Sequence, residues 1–152
     1  MKKMNNKGFS LVELIVVIAI MAVLIGVLAP QFMKYVEKSR ESTDIQNLDT
    51  CVSAVRTYYA DKDTVPDKVK ISGTKGSELK GNDTDNAALK DGGCDHSIVK
   101  GAWTGEISAE IDMKTGAVTY SGTATYYKAD TDKGFVAATT SPSPTTSPAA
   151  GG

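Results

Sequence analysis

The stretch NNKGFSLVELIVVIAIMAVLIGVLAPQF, residues 5–32, decides how the chain is organised. From Phe9 to Ala29 every residue is uncharged except Glu13. Phe9 to Pro30 is 22 residues, about 33 Å as a helix, enough to cross a hydrocarbon core of about 30 Å. An isolated carboxylate costs roughly 2.5–3.5 kcal/mol at the centre of such a segment and less near its edge. Glu13, four residues inside the edge, therefore demands compensation.

Outside this run the character changes. The 152 residues are 41% hydrophobic and 23% charged with five prolines, a composition of one modest domain with appendages. The remainder is rich in Gly, Asp, Lys, Ser and Thr, so its core is small and needs cover from another element. A formal net charge of −1 with no basic patch argues against nucleic acid binding by bulk electrostatics. Three of the 17 basic residues, Lys2, Lys3 and Lys7, precede the run and no acidic residue does. Positive flanks stay in the cytoplasm. The run is thus expected to insert once, N-terminus inside, with the cysteine-containing remainder outside.

Three readings fit an N-terminal apolar segment. One is a plain single-pass anchor. A second is a cleaved secretory signal ending at Val27-Leu28-Ala29. Its apolar region is too long, and Pro30 would follow the cut. The third rests on Lys7-Gly8-Phe9-Ser10-Leu11-Val12-Glu13-Leu14, which resembles the class III signal of type IV prepilins: a short basic leader ending in Gly, then Phe, with Glu at the fifth mature position. Here the small residue at the cut lies before the apolar run, so processing leaves the run on the mature chain.

The resemblance implies cleavage after Gly8 by a membrane prepilin peptidase and N-methylation of the new Phe9 amine. A residue without Cβ at the cut lets an extended backbone enter a narrow site. It also implies a role for Glu13, neutralising the Phe9 ammonium of a neighbouring subunit within a core of packed helices. Each charge would be expensive there alone. The plainer alternative places Glu13 in the first helical turn, favoured by the helix dipole. The function implied is that of a major pilin, a homo-oligomeric filament subunit for adhesion, aggregation or twitching motility. Its partners are the prepilin peptidase, the inner-membrane assembly machinery and, before assembly, the membrane. A pseudopilin of a secretion or competence system and a membrane-anchored binding domain that never polymerises are the competing readings. No cofactor and no enzymatic activity is expected.

Beyond the run, Pro30 removes one backbone hydrogen bond and is expected to bend rather than end the helix. Gly26 and Pro30 mark either a place to unwind on filament packing or the ordinary tolerance of membrane helices for these residues. Apolar positions Phe32, Tyr35, Val36, Ile45, Leu48, Val52, Val55 and Tyr59 then recur at helical spacing with Cys51 on the same side, while Lys34, Glu37, Lys38, Arg40, Glu41 and Asp44 intervene. This predicts one helix from about Phe9 to about Tyr59, hydrophobic in its first half and amphipathic in its second. Asp61 to Gly93 reads as loop with a short helix near Ala87–Lys90. EISAEID (106–112), AVTYSG (117–122), TATYYKA (123–129) and GFVAA (134–138) read as strands of a small antiparallel sheet that the helix stripe covers. A long N-terminal α-helix packed on a small antiparallel β-sheet, an α+β fold, is also the pilin fold. The expected organisation is leader 1–8, apolar helix 9–31, amphipathic half 32–60, head 61–138 and a disordered Ser/Thr/Pro-rich tail 139–152.

Cys51 and Cys94 are the two cysteines. Either they form a disulfide, which would stabilise by ~4 kcal/mol in the chain-entropy model, or they are two buried thiols, Cys51 being part of the apolar stripe. A bridge at this spacing departs from the family's common one, which brackets a loop near the C-terminus. Asp83-Thr84-Asp85 and Asp130-Thr131-Asp132-Lys133-Gly134 hold fragments of a calcium-loop pattern without its full ligand series, and read as turns rather than metal sites. His96 is the sole histidine and has no nucleophile and carboxylate spaced around it. Trp103 and Tyr58 read as core residues rather than a sugar platform.

Overall fold

The computed structural model describes residues 10–138, and residues 83 and 84 by their backbone alone. Gly8, Phe9 and the 139–152 tail lie outside the described residues. The chain divides into two units, Met1–Val36 and Glu37–Gly152, and one helix, α1 (Leu11–Ala60), contributes to both.

In the first unit Ser10 stands just before α1, and its carbonyl accepts the Leu14 N–H at 3.2 Å. The segment is dense in Val and Ile, poor helix formers in water. In hydrocarbon a helix is nonetheless the form that satisfies every backbone group within one segment. Pro30 lies inside the helix, as expected. It has no N–H to give the Gly26 carbonyl four residues back, so Gly26 and Pro30 bracket one open position in the backbone ladder.

In the second unit the remainder of α1 supplies one wall of the core. Leu48, Cys51, Val52, Val55 and Tyr59 are buried along one stripe. The stripe does not begin at Phe32, as the spacing suggested: Phe32 and Tyr35 are 65% and 69% exposed. It is continued upstream instead by Asp44 and Glu41, both buried, although sequence reading places them on the solvated face.

Three antiparallel strands face that stripe in the order β1 (Lys68–Thr74), β2 (Glu106–Asp112), β3 (Val118–Ser121). Strand β2 is central, and its Ile107, Ala109 and Ile111 are fully buried, the alternation expected of EISAEID. Strand β1 lies where the sequence predicts loop. Its Val69 and Ile71 alternate with Lys68 and Lys70 over only seven residues, too brief and lysine-rich to stand out. Pairing in register with β2, from Lys68↔Asp112 to Thr74↔Glu106, makes it a strand. On the outer face Lys68 and Lys70 reach Glu110 and Glu106 at 2.6 and 2.7 Å. Exposed pairs of this kind contribute about 0–1 kcal/mol each.

The expected short helix is the longer α2 (Asp83–Asp91), so Asp83-Thr84-Asp85 opens a helix rather than forming a turn. Buried Ala88 and Leu89 seat it in the core. The last two strands form as expected, but β4 (Tyr127–Asp130) and β5 (Gly134–Ala137) make a separate hairpin instead of extending the sheet. Phe135 joins that hairpin to the core, edge-on to Trp103 and Tyr120 with centroids 5.3 and 5.5 Å away. Asp130 Oδ1 accepts the N–H groups of Asp132 and Lys133, both at 3.1 Å, which makes the second acidic string the expected turn.

Candidate functional site

At the N-terminal end, Glu13 folds back on the start of its own helix. The Ser10 N–H donates to Glu13 Oε2 at 3.0 Å. With Ser10 at the N-cap, Glu13 is the third helical residue, and this is the reach-back arm of a capping box. Its signal in the sequence is Ser10-Leu11-Val12-Glu13, a Ser three residues ahead of a Glu. The bond occupies one oxygen. A carboxylate has about four acceptor sites, so Glu13 retains capacity for a second donor.

Among the described residues the apolar surface around it is exposed. The large apolar side chains from Leu11 to Phe32 stand 50–73% exposed, and the membrane-length window within α1 is 0% buried. A methyl placed on Gly26 would meet no atom within 4 Å, so packing among the described residues does not require glycine there. The apolar helix suits membrane anchoring.

The second unit holds a feature that the sequence reading missed. Asp44, 1% exposed, accepts the Lys100 N–H at 3.0 Å on Oδ1, and on Oδ2 the Gly101 N–H at 2.6 Å and the Trp103 indole N–H at 2.8 Å. One turn earlier Glu41, fully buried, accepts the Thr125 N–H at 3.1 Å and the Tyr126 N–H at 2.8 Å. Two loops far apart in sequence are thus tied to α1 by carboxylates. Gly101 is required by this approach: a Cβ there would lie 2.8 Å from Asp44 Oδ2 and 2.9 Å from Trp103 Nε1. Burial raises the Glu41 carboxyl above its ordinary range, the N–H bonds from Tyr126 and Thr125 oppose that, and Glu37 nearby adds to the rise. Asp49 accepts the Tyr120 hydroxyl and Asp85 the Tyr59 hydroxyl, both at 2.8 Å. Arg56 donates to the Gly116 carbonyl. The signal that would have found Glu41 and Asp44 is phase: residues 41, 44, 48, 51, 55 and 59 lie on one helical stripe.

Cys51 and Cys94 are both buried, and no bond joins their sulfurs in this structure. Burial first, and then the adjacent Cys94 side chain, push the Cys51 thiol far up. Trp103 is a core residue, as expected. Tyr58 is half-buried, edge-on to Tyr59, with Lys62 Nζ 4.6 Å from its ring centre. His96 is exposed between Glu78 and Asp95, at 3.6 and 3.5 Å.

Residues 3–29 match the family described as the prokaryotic N-terminal methylation motif. That motif, the long apolar helix behind it and the small antiparallel sheet support a resemblance to the type IV pilins. Among curated relatives, the chain is similar to the type IV major pilin protein PilA of Myxococcus xanthus, 34% identical over 63 residues, 41% of this chain and 29% of that one. It is similar to the fimbrial protein EcpC of Eikenella corrodens, 38% identical over 66 residues, 43% of each chain. A fimbrial protein of Neisseria meningitidis serogroup B is 33% identical over 88 residues, 57% of this chain and 52% of that one. The chain thus spans between about a third and a half of the length of these relatives. No solved structure matches it.

Proposed function

We propose that the chain is the major, non-catalytic structural subunit of a type IV pilus. It is held in the cytoplasmic membrane as a single-pass precursor, N-terminus inside. A prepilin peptidase cuts after Gly8 and the Phe9 amine is methylated. The inner-membrane assembly machinery then moves the subunit into a helical surface filament that serves adhesion, aggregation or twitching motility.

The observation that carries this reading is the bare apolar helix behind the methylation motif. A contiguous apolar surface of this length is not sustained in water and needs lipid before assembly and other copies of the helix after it. Glu13 supports the same reading. Capped by its own chain, it keeps lone pairs for the Phe9 ammonium of the next subunit, and a charge pair in an apolar core costs far less than either charge alone. An open backbone position at Gly26 and Pro30 gives the helix a place to unwind on packing.

Mass spectrometry of the native N-terminus, with electron microscopy of material sheared from the cell surface, tests the proposal. A methylated Phe9 terminus in long filaments is expected. An intact Met1 refutes pilin processing, and a methylated chain without surface filaments points to a pseudopilin.

A further inference from the structure

The core carries a pair of groups that neither the filament nor the carboxylate ties explain. Cys51 is 0% and Cys94 2% exposed, and their side chains are adjacent. The surrounding backbone is fixed from both sides. Ala54, one turn from Cys51, approaches the end of α2 so closely that a Cβ built on Gly92 would lie 2.2 Å from the Ala54 Cβ. Two residues on, the Cys94 N–H is held by the Leu89 carbonyl at 2.8 Å, and the Cys94 carbonyl accepts the Ser97 N–H at 3.2 Å. Glycine at 92 lets the two elements touch, and the next turn of chain carries the thiol to α1.

We propose that Cys51 and Cys94 form an intramolecular disulfide that staples α1 to the segment following α2. The proposal rests on the reading that the head is exported, because such bonds persist in oxidising compartments. The oxidant is a thiol–disulfide oxidoreductase carrying an active-site disulfide. One cysteine thiolate attacks that disulfide to form a mixed disulfide and release one of its sulfurs as a thiolate. The second cysteine thiolate then attacks the mixed disulfide, forming the Cys51–Cys94 bond and freeing the other sulfur. The chain loses two protons and two electrons, and the oxidoreductase gains the electrons as a dithiol. The step belongs to the interval before the core closes, since the folded protein buries both sulfurs. The enclosed loop contains β1 and α2 whole, so the staple restrains the half of the head that is joined to α1 without the Glu41 and Asp44 ties.

The test uses the full-length chain from the cells that make it. Intact cells are treated with a membrane-impermeant amine reagent that reads the exposed Lys100 and Lys114. The chain is then acid-quenched, denatured and alkylated before and after reduction, and its mass is read. A labelled head with no alkylation before reduction and two alkyl groups after it is expected. Reductant should also lower the melting midpoint by on the order of 15–30 °C, from the loop-closure entropy of the bond and the size of the domain. A labelled head with two thiols alkylated without reduction overturns the staple while its location stands, as does a midpoint that reductant leaves unmoved. An unlabelled head overturns the location, and the thiol count still decides the staple.

Discussion

Replacing Asp44 with alanine should be among the most damaging single changes in the head. It removes the acceptor for three donors, the N–H groups of Lys100 and Gly101 and the indole N–H of Trp103. A buried donor left without a partner costs about 1–3 kcal/mol, so three orphans cost about 3 kcal/mol at the lower limit. Domains of this kind are stable by about 5–15 kcal/mol. The change thus takes a large share of the total, and about 3 kcal/mol is more than a hundredfold in the folded-to-unfolded ratio. The assay is urea unfolding of the full chain in detergent micelles, followed by tryptophan fluorescence. Trp103 is the sole tryptophan and donates to the deleted group, so the signal originates at the site. Asp44→Ala should lower the midpoint with an unchanged slope, and Asp44→Asn, which keeps one acceptor oxygen, should fall between it and the native chain. A loss below about 0.5 kcal/mol, the size of an ordinary surface change, would show that water replaces the carboxylate freely and that the tie is incidental.

Glu13→Val should insert and be cut after Gly8, yet leave mature protein in the membrane with few surface filaments. An unpaired buried ammonium costs about 3–5 kcal/mol at each subunit addition, and filaments of normal number and length would reduce Glu13 to a helix cap. Gly8→Leu should leave full-length precursor in the membrane, visible as an unshifted band on immunoblots, and wild-type levels of mature chain would contradict the cleavage reading. For Glu41 the sign follows from burial, which raises its folded pKa above the ordinary 4.5: the native state holds its proton longer than the unfolded one, so this group's contribution to stability is fully present below about 4.5 and is lost as pH rises through the folded value. Glu41→Gln carries no such titration. Whatever its constant offset, its stability relative to the native chain should rise between pH 4 and 7, and a pH-independent difference would sink the argument.

Much of the architecture was legible because it rests on periodicity. The apolar run, the amphipathic stripe from Leu48 to Tyr59, and the alternation of Ile107, Ala109 and Ile111 each repeat a local pattern over several turns or residues. Strand β1 was not legible, because Lys68-Val69-Lys70-Ile71 offers two apolar positions and only its partner 40 residues on gives them a sheet to join. The split of β4 and β5 from the main sheet is a tertiary outcome for the same reason. The ties at Glu41 and Asp44 were hidden for a different one. A charged side chain on a helix ordinarily means solvent, and only the arrival of loops bearing N–H groups makes burial affordable for these two. At the N-terminus the reverse held, since Glu13 stood out because its surroundings are so uniformly apolar.

The ties also set rules for how this sequence can drift. Four of the five N–H groups gripped by Glu41 and Asp44 belong to the main chain, at Lys100, Gly101, Thr125 and Tyr126. A grip on the main chain is indifferent to which side chain stands above it. Positions 100, 125 and 126 can therefore accept nearly the whole amino-acid alphabet with the head still fastened, barring proline, which has no N–H to offer. Position 101 accepts glycine alone. A lineage under pressure to alter its outer face can rewrite the loops while two acids, one glycine and one tryptophan keep the fastening unchanged.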